Sequence, residues 1–349
     1  MAFFAVVGRG ERVAGETDAR AAGQELVLGL DIGGTKLHVA VGRASGELLR
    51  EARLDGWTSG NAERDLNKIA ETGRRVLAEA GVEAGALAAI GVSAPGPLDP
   101  AAGVVRDAPN LPGWHEVPIS ARLAASFGRP VRLENDANAA ALAEWRFGAG
   151  RGSRHFAFLT MSTGVGAGLI LDGRLYRGAR FGAGEIGHVP VVPRGRRCVC
   201  GLSGCLEAYT GGAALAARIR ADAAAGARTS IVARAGGDPA RVGAVHWVEA
   251  LRAGEGYARE LAEEYLDALA QGLAILVLGL DLERIALGTI VARNTDLFLE
   301  PLRARFAARV WPRLRDTALV PAELGPRLSH YAGLCTALLE LESSSVSER

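Results

Sequence analysis

Short apolar runs alternate with stretches of helical spacing along the chain, and the pattern opens the same way twice. Leu26–Asp31 is apolar, IGGTK makes a tight turn, and Leu37–Val41 is apolar again. Further on, His155–Ser162 is a strand, TGVGAG a glycine turn, and Leu169–Leu171 a strand entering the hairpin DGR. LGLDIGGTKLHVAVG and FLTMSTGVGAGLILDG are thus one device used twice: strand, glycine turn, strand. Between them the spacing predicts a helix over Glu63–Ala80, carried by Leu66, Ile69, Ala70 and Leu77, and a buried strand over Ala86–Ser93. Pro95–Pro118 is a long loop, and loops of that length inside a compact domain usually carry function. Val131–Glu134 is a strand, and Asn135 and Asp136 stand at the cap position of the alanine-rich helix Ala137–Phe147. Helices follow over Gly212–Ala225 and Glu255–Leu278, then a strand over Arg284–Leu287. A basic amphipathic helix near Leu297–Arg309 reads as a solvated outer face, and a last helix over Gly325–Glu342 precedes a frayed polar tail. Met1–Gln24 lacks sustained periodicity and reads as a loose arm, so the pattern is α/β with structure beginning at Glu25.

Composition narrows the class. A chain of 349 residues with 49% hydrophobic positions has room for two domains and a large core. Its net charge of +1 leaves no electrostatic footprint for nucleic acid or an anionic membrane. The apolar run Leu273–Leu280 falls short of the roughly 20 residues a spanning helix needs. The first twenty residues turn charged too soon for a signal peptide, so a reducing cytoplasm is the expected compartment.

The densest chemistry lies in GEIGHVPVVPRGRRCVCGLSGCLE, from Gly184 to Glu207. His188, Cys198, Cys200 and Cys205 form the ligand set of a closed tetrahedral Zn²⁺ site, with Gly201 and Gly204 letting the chain wrap back. A disulfide framework belongs to small secreted chains, and an iron–sulfur cluster would want a nearer fourth cysteine than Cys335. Glu185 and Glu207 flank the ligands without being needed by them, which points to a polar molecule gripped there. Neither glycine turn has the P-loop string or opens a helix as a dinucleotide fingerprint does. Both lead back into strands, so their backbone N–H groups would form two anion-binding nests able to hold a polyphosphate. Asp31 is then placed to hold Mg²⁺ through water, and Lys36 to offset phosphate charge. Asp136, at a strand end, suits a base accepting a hydroxyl proton, or simply a helix cap. Asn110, in the loop APNLPGW, both donates and accepts and so suits a polyol, or a turn. Asn110, Asn135, Asp136, Glu185, His188 and Glu207 together form a polar set fit for a hexose.

From about Glu25 to about Leu341 the chain resembles the ROK family of repressors and sugar kinases. The motifs are LDIGGTK at Leu30–Lys36, SAPGPLD at Ser93–Asp99, ENDANAAALAE at Glu134–Glu144, TMSTGVGAG at Thr160–Gly168, and the cysteine segment from Glu185. The resemblance implies a two-lobed actin-like, ribonuclease H-like ATPase fold with the active site in an interdomain cleft beside a zinc-bound loop. Residues 25–134 would form a small lobe onto which helix 325–342 packs back, and residues 135–324 a large lobe carrying the zinc loop 185–207. Asp136 would take the proton of the sugar 6-hydroxyl; Asn110, Asn135, Glu185, His188 and Glu207 would bind the sugar. His188 would serve twice, one nitrogen on zinc and the other on a hydroxyl. ATP with Mg²⁺ would lie on Asp31, Gly33, Gly34, Thr35, Lys36, Thr163, Gly164, Gly166 and Gly288. One departure stands at the nucleotide side, where the family commonly has a glycine run and this chain reads IALGTIVAR, keeping Gly288 but carrying Thr289 and Ile290. The expected activity is ATP-dependent hexose phosphorylation, glucose first, with N-acetylmannosamine, N-acetylglucosamine and fructose as alternatives. A sugar-responsive repressor is the other class, expected less because only the arm to Gln24 precedes the first glycine turn. A homodimer is the expected assembly.

Overall fold

The computed structural model describes residues 23–347. The arm expected over the N-terminal residues therefore lies outside the described residues, apart from Gly23 and Gln24. Twelve strands are assigned among those described: β1 Leu26–Ile32, β2 Lys36–Arg43, β3 Leu48–Asp55, β4 Leu87–Ala94, β5 Leu98–Asp99, β6 Val104–Val105, β7 Val131–Asn135, β8 Phe156–Met161, β9 Val165–Leu171, β10 Arg174–Tyr176, β11 Arg284–Leu287 and β12 Ala318–Pro321. Two five-stranded sheets result, ordered β3-β2-β1-β4-β7 and β10-β9-β8-β11-β12. Each has two antiparallel pairs followed by two parallel ones, so the halves share one topology. The repeated strand–glycine turn–strand device occupies the same place in both.

Edge strands account for the strands that periodicity does not flag. β3 reads LLREARLD and β10 only three residues; both lie at sheet edges with mostly exposed or half-buried positions. The loop 95–118 contains the small β5–β6 hairpin and is followed by an unexpected helix, Ile119–Phe127, closed by Gly128 in the left-handed region. A further helix, Ala244–Arg252, was likewise not expected. The expected tail is helical as far as Ser347, extending the last helix to Leu328–Ser347. The basic helix runs Thr295–Ala307, and its arginines are paired rather than free: Arg305 with Glu263, Arg303 with Glu300. No helix among the described residues is long and apolar enough to cross a membrane.

Two helices join the halves. Asp136–Phe147 leaves β7 of the first sheet and packs on β9 of the second, with Ala141 set so close to Gly168 that a Cβ there would lie 2.4 Å from it. This explains the alanine-rich face better than propensity does. The Leu328–Ser347 helix lies across the first sheet backbone to backbone, through Gly333 against Gly29 and Leu30, and through Gly91. A Cβ on Gly91 would sit 2.1 Å from Gly333 O and 2.2 Å from Ala337 N. Overpacking of this kind typically costs about 1–3 kcal/mol and more when backbone must move, so Gly91→Ala is expected to lose at least about 3 kcal/mol. A denaturant midpoint like the parent's would show that this helix is not held against the sheet.

Candidate active site

The parallel registers bring side chains to one edge. Asp31 pairs with Ser93 across β1 and β4, and Ala94 with Asn135 across β4 and β7, so all face the crevice outside the strands' carboxyl ends. Ser93 Oγ donates to Asp31 Oδ1 at 2.6 Å. Asn135 is the helix cap: its Oδ1 accepts from Ala137 N at 3.0 Å and from Asn138 N at 3.4 Å. That settles the choice between the two polar neighbours and leaves Asp136 as the first helical residue, its Oδ1 accepting the Ala137 N–H at 2.8 Å. The buried Glu134 braces this corner, accepting from Asn135 N, Asn138 Nδ2 and Arg177 Nε.

A cavity of about 490 Å³ opens between the halves. Asn110, Asn135, Asp136, Glu185, His188 and Glu207, the whole expected sugar set, line it. Thr163, Gly164 and Gly166 of the second glycine turn line the same cavity. A small cavity of about 190 Å³ adjoins, where Asp31 and Gly33 face Asp136 beneath Ser329 of the last helix. Asp136 reaches solvent through the mouth of the cleft but is walled in by both halves. That burial, with Asp31 and then Glu185 nearby, raises its carboxyl to about 6 against hydrogen bonds from Ala137 N and the Asn135 side chain. Burial likewise pushes Asp31 above its usual range, opposed by the Ser93 hydrogen bond. Asp31, a carboxylate facing this cavity and penalised by burial, is an oxygen donor that fits a hard cation such as Mg²⁺.

The expected phosphate residues divide. Gly34 backs onto the loop that carries Asn110, where a Cβ would lie 2.6 Å from Asn110 O. Thr35 and Lys36 are exposed, Lys36 facing Asp55 in register, and they line neither cavity. The first turn is held from a distance: Trp57 Nε1 donates to Gly33 O at 2.8 Å, Trp57 meets Trp114 edge to face, and Trp114 Nε1 donates to buried Asp65 at 3.0 Å. None of these three was singled out by sequence reasoning, although Trp114 closes the APNLPGW motif. Glu207 Oε2 accepts the Val165 N–H at 2.9 Å, tying the expected sugar set to the second turn.

Beyond that turn, and sharing Ser162 and Thr163 with the main cavity, lies an apolar slot of about 520 Å³. Ala213, Val245, Val248, Ile290 and Arg293 line it, dimensions and lining that suit a nucleobase. Gly288 stands just outside; its N–H donates to Leu159 O at 2.8 Å, and a Cβ would press on that carbonyl and the Phe158 ring. Its place is thus close packing on β8. Thr289, also in the slot, has φ +41°, a left-handed conformation that a β-branched residue pays for. Thr289→Gly is expected to raise stability by about 1 kcal/mol through release of that strain. A lower melting temperature would refute it.

The metal-ligand candidates come together as their spacing implied. One atom from each of His188, Cys198, Cys200 and Cys205 lies within 4.8 Å of the others. Cys200 Sγ is 3.7 Å from Cys205 Sγ, and Cys198 Sγ 3.7 Å from His188 Nδ1. Tetrahedral Zn²⁺ with Zn–S near ~2.3 Å places sulfurs about 3.8 Å apart, so the set fits the ion. Gly204 has φ +81° and no room for a Cβ, which would meet Val192 O at 1.9 Å. With Nδ1 on the thiol side, His188 Nε2 lies 4.0 Å from Glu185 Oε2 on the cavity side. Burial pushes the Cys205 thiol up to about 12 and raises Cys198, which a divalent cation would reverse.

Comparison with known proteins agrees with this geometry. The chain is 35% identical over 296 residues to a glucokinase of Thermotoga maritima, covering 85% of this chain and 92% of that one. A ROK hexokinase from Thermus thermophilus superposes with TM-score 0.77 at 36% identity, covering 91% and 99%. A ROK family glucokinase from Streptomyces griseus, solved with glucose and AMPPNP, superposes with TM-score 0.70 at 32% identity, covering 90% and 99%. The ROK family model matches residues 27–335, nearly the full described length, and with these relatives it shows that the chain belongs to the ROK family.

Proposed function

We infer that the chain is an ATP-dependent sugar kinase that phosphorylates a hexose at its 6-hydroxyl, glucose first. The observation that carries this reading is one cavity in which Asp136, its carboxyl near 6, faces both the sugar-reading groups and the second glycine turn. A base with that pKa is ionised at neutral pH yet still accepts a proton readily. In the step, the hydroxyl proton passes to Asp136 as the oxygen attacks the γ-phosphorus. The bond from phosphorus to the bridging oxygen breaks, and its electron pair leaves on ADP.

Asn110, Glu185, Glu207 and His188 Nε2 orient the hydroxyls; the polar set has no apolar member to favour a deoxy or alkyl sugar. The apolar slot beyond Thr163 takes the base of the nucleotide, which puts its phosphates along the second turn. Asp31 would hold Mg²⁺ through water, and the ion when bound offsets phosphate charge. His188, Cys198, Cys200 and Cys205 would hold Zn²⁺, which with four protein ligands has no open position and serves structure alone. Cytoplasmic location belongs to the same reading, supported by a cysteine usage suited to a reducing compartment.

Glucose is the first choice because relatives 31–35% identical to this chain include glucokinases. The test is ADP release with glucose, mannose, fructose, N-acetylglucosamine and N-acetylmannosamine, repeated with ATP, GTP and polyphosphate as donors. Failure of every sugar to raise ADP release above the sugar-free rate would sink the proposal.

A further inference from the structure

The groups assigned above leave the main cavity short of positive charge. Asp136, Glu185 and Glu207 line it, and a triphosphate would bring more negative charge, yet Arg180 is the one lysine or arginine among its lining residues. Lys36, which the sequence suggested for this task, stands elsewhere. Arg180 is exposed and has no hydrogen-bond or ion-pair partner among the described residues, whereas Arg177, three residues earlier, is locked to Glu134.

The loop that carries Arg180 is not loose. At its first foot Arg177 Nε donates at 2.7 Å to Glu134 Oε2, the carboxylate that also braces Asn135 and Asn138. Its neck is closed by Ala183 N donating to Arg177 O at 3.1 Å. At its second foot Gly184 O accepts from Ala167 N at 3.0 Å, and Gly184, with φ +91°, sits where a Cβ would be 1.9 Å from Ala167 O. The tip turns through Phe181 at φ +58°, a strained position for a non-glycine residue, and such strain persists where the surroundings impose it. An unpaired guanidinium is therefore presented to the catalytic cavity on a loop braced against the same carboxylate that shapes the Asp136 corner.

We propose that Arg180 is a catalytic residue that engages the transferring phosphoryl group, resting on the kinase reading above. As the bond from the sugar oxygen to the γ-phosphorus forms and the bond to the bridging oxygen breaks, charge spreads over the three equatorial oxygens. A planar guanidinium donates to two of them at once and stabilises that charge more than the charge of bound ATP. The proton goes to Asp136, so Arg180 neither gains nor loses one.

The experiment compares the full chain with Arg180→Gln and Arg180→Lys in steady-state kinetics with sugar and ATP varied separately. Arginines acting on a phosphoryl group in transfer contribute about 10³–10⁵ in rate, and with Mg²⁺ sharing the charge Arg180→Gln is expected to lower kcat by about 10²–10³. The KM for sugar should stay within about threefold of the parent, because the interaction is made in the transition state. Arg180→Lys should fall between the two, and guanidinium ion added to Arg180→Gln should restore part of the lost kcat. Since Arg180 holds nothing else in place, the melting temperature should not move. Parent activity tests the kinase reading alone; the ratio of variant to parent tests Arg180 alone. A parent-like kcat in Arg180→Gln overturns the proposal, as does a loss seen only in sugar KM, which would make Arg180 a reader of the sugar. A fallen kcat with a lowered melting temperature and no guanidinium rescue overturns it as well.

Discussion

Asp136→Asn is expected to lower kcat by about 10²–10⁴, the usual worth of a general base, while leaving the protein folded. The substitution is decisive because Asn135 already caps the helix. Asn at 136 also keeps size and an oxygen for the Ala137 N–H. The pH profile gives a second measurement. The parent's kcat/KM should rise with unit slope up to about pH 6, where Asp136 loses its proton, and level off above; the Asn variant should lack that limb. The sign for stability is opposite to that of a salt-bridged carboxylate. Asp136 holds its proton more tightly folded than unfolded, so its contribution to stability is present below its ordinary 3.8 and lost as pH rises to about 6. At pH 7 the Asn variant, freed of that ionised group, is expected to melt no lower than the parent. A variant that keeps the parent rate makes Asp136 a bystander; one that melts well below it makes Asp136 structural.

Cys200→Ala is expected to abolish zinc binding and raise the KM for sugar by about 10²-fold, since misplacing recognition groups by about 1 Å has effects of that order. The candidate metal-ligand cluster lies between Glu185 and Glu207, the two glutamates proposed to grip the sugar. Glu185 opens the turn Ile186–His188, and Glu207 follows Cys205 by two residues at the start of the short helix Glu207–Thr210. Pairing of Pro190 with Cys205 and of Arg197 with Ser203 closes the loop, but its tip, including Cys200, is exposed, and the proposed ion would be what holds it. ATP binding should be largely spared, because the apolar slot lies beyond the second turn. Zinc uptake should release protons and weaken as pH falls, since thiolates and neutral imidazole are the ligands. Elemental analysis beside sugar kinetics checks both halves. Full activity in a zinc-free parent would refute the metal's role, and normal sugar kinetics in a zinc-free variant would confine it to a remote staple.

Gly34 and Gly164 show how far such variants must be chosen from the folded geometry. Both suggest themselves as phosphate probes, yet a side chain on Gly34 would push Asn110, and one on Gly164 would lie 2.5 Å from Glu207 Oε2. Each would disturb a residue of the proposed sugar set together with the proposed phosphate turn. Gly166, whose Cβ would make only ordinary contacts with Ala137 and Thr160, is the cleaner position.

What the amino-acid sequence determined by itself was whatever depends on neighbours along the chain. The duplicated hairpins are legible because a glycine turn between apolar runs is a local pattern. The Cys/His cluster is legible because His188 and Cys205 stand close in sequence, and a tetrahedral ion asks for that spacing. The polar set that lines the main cavity was readable residue by residue along its motifs. Tertiary structure decided what distant segments do to one another. Periodicity shows that the last helix is apolar, but only folding sets Gly29, Gly91 and Gly333 at backbone contact. A string Asn-Asp names two possible caps, and the geometry of β7 assigned the role to Asn135. Lys36 carries the right charge next to the right motif, yet its strand points it away, while Arg180 stands in the cavity on a loop no phosphate motif marks. Asp136 has an ordinary carboxyl in any local window; its raised pKa comes from burial between two halves that meet only in the folded protein.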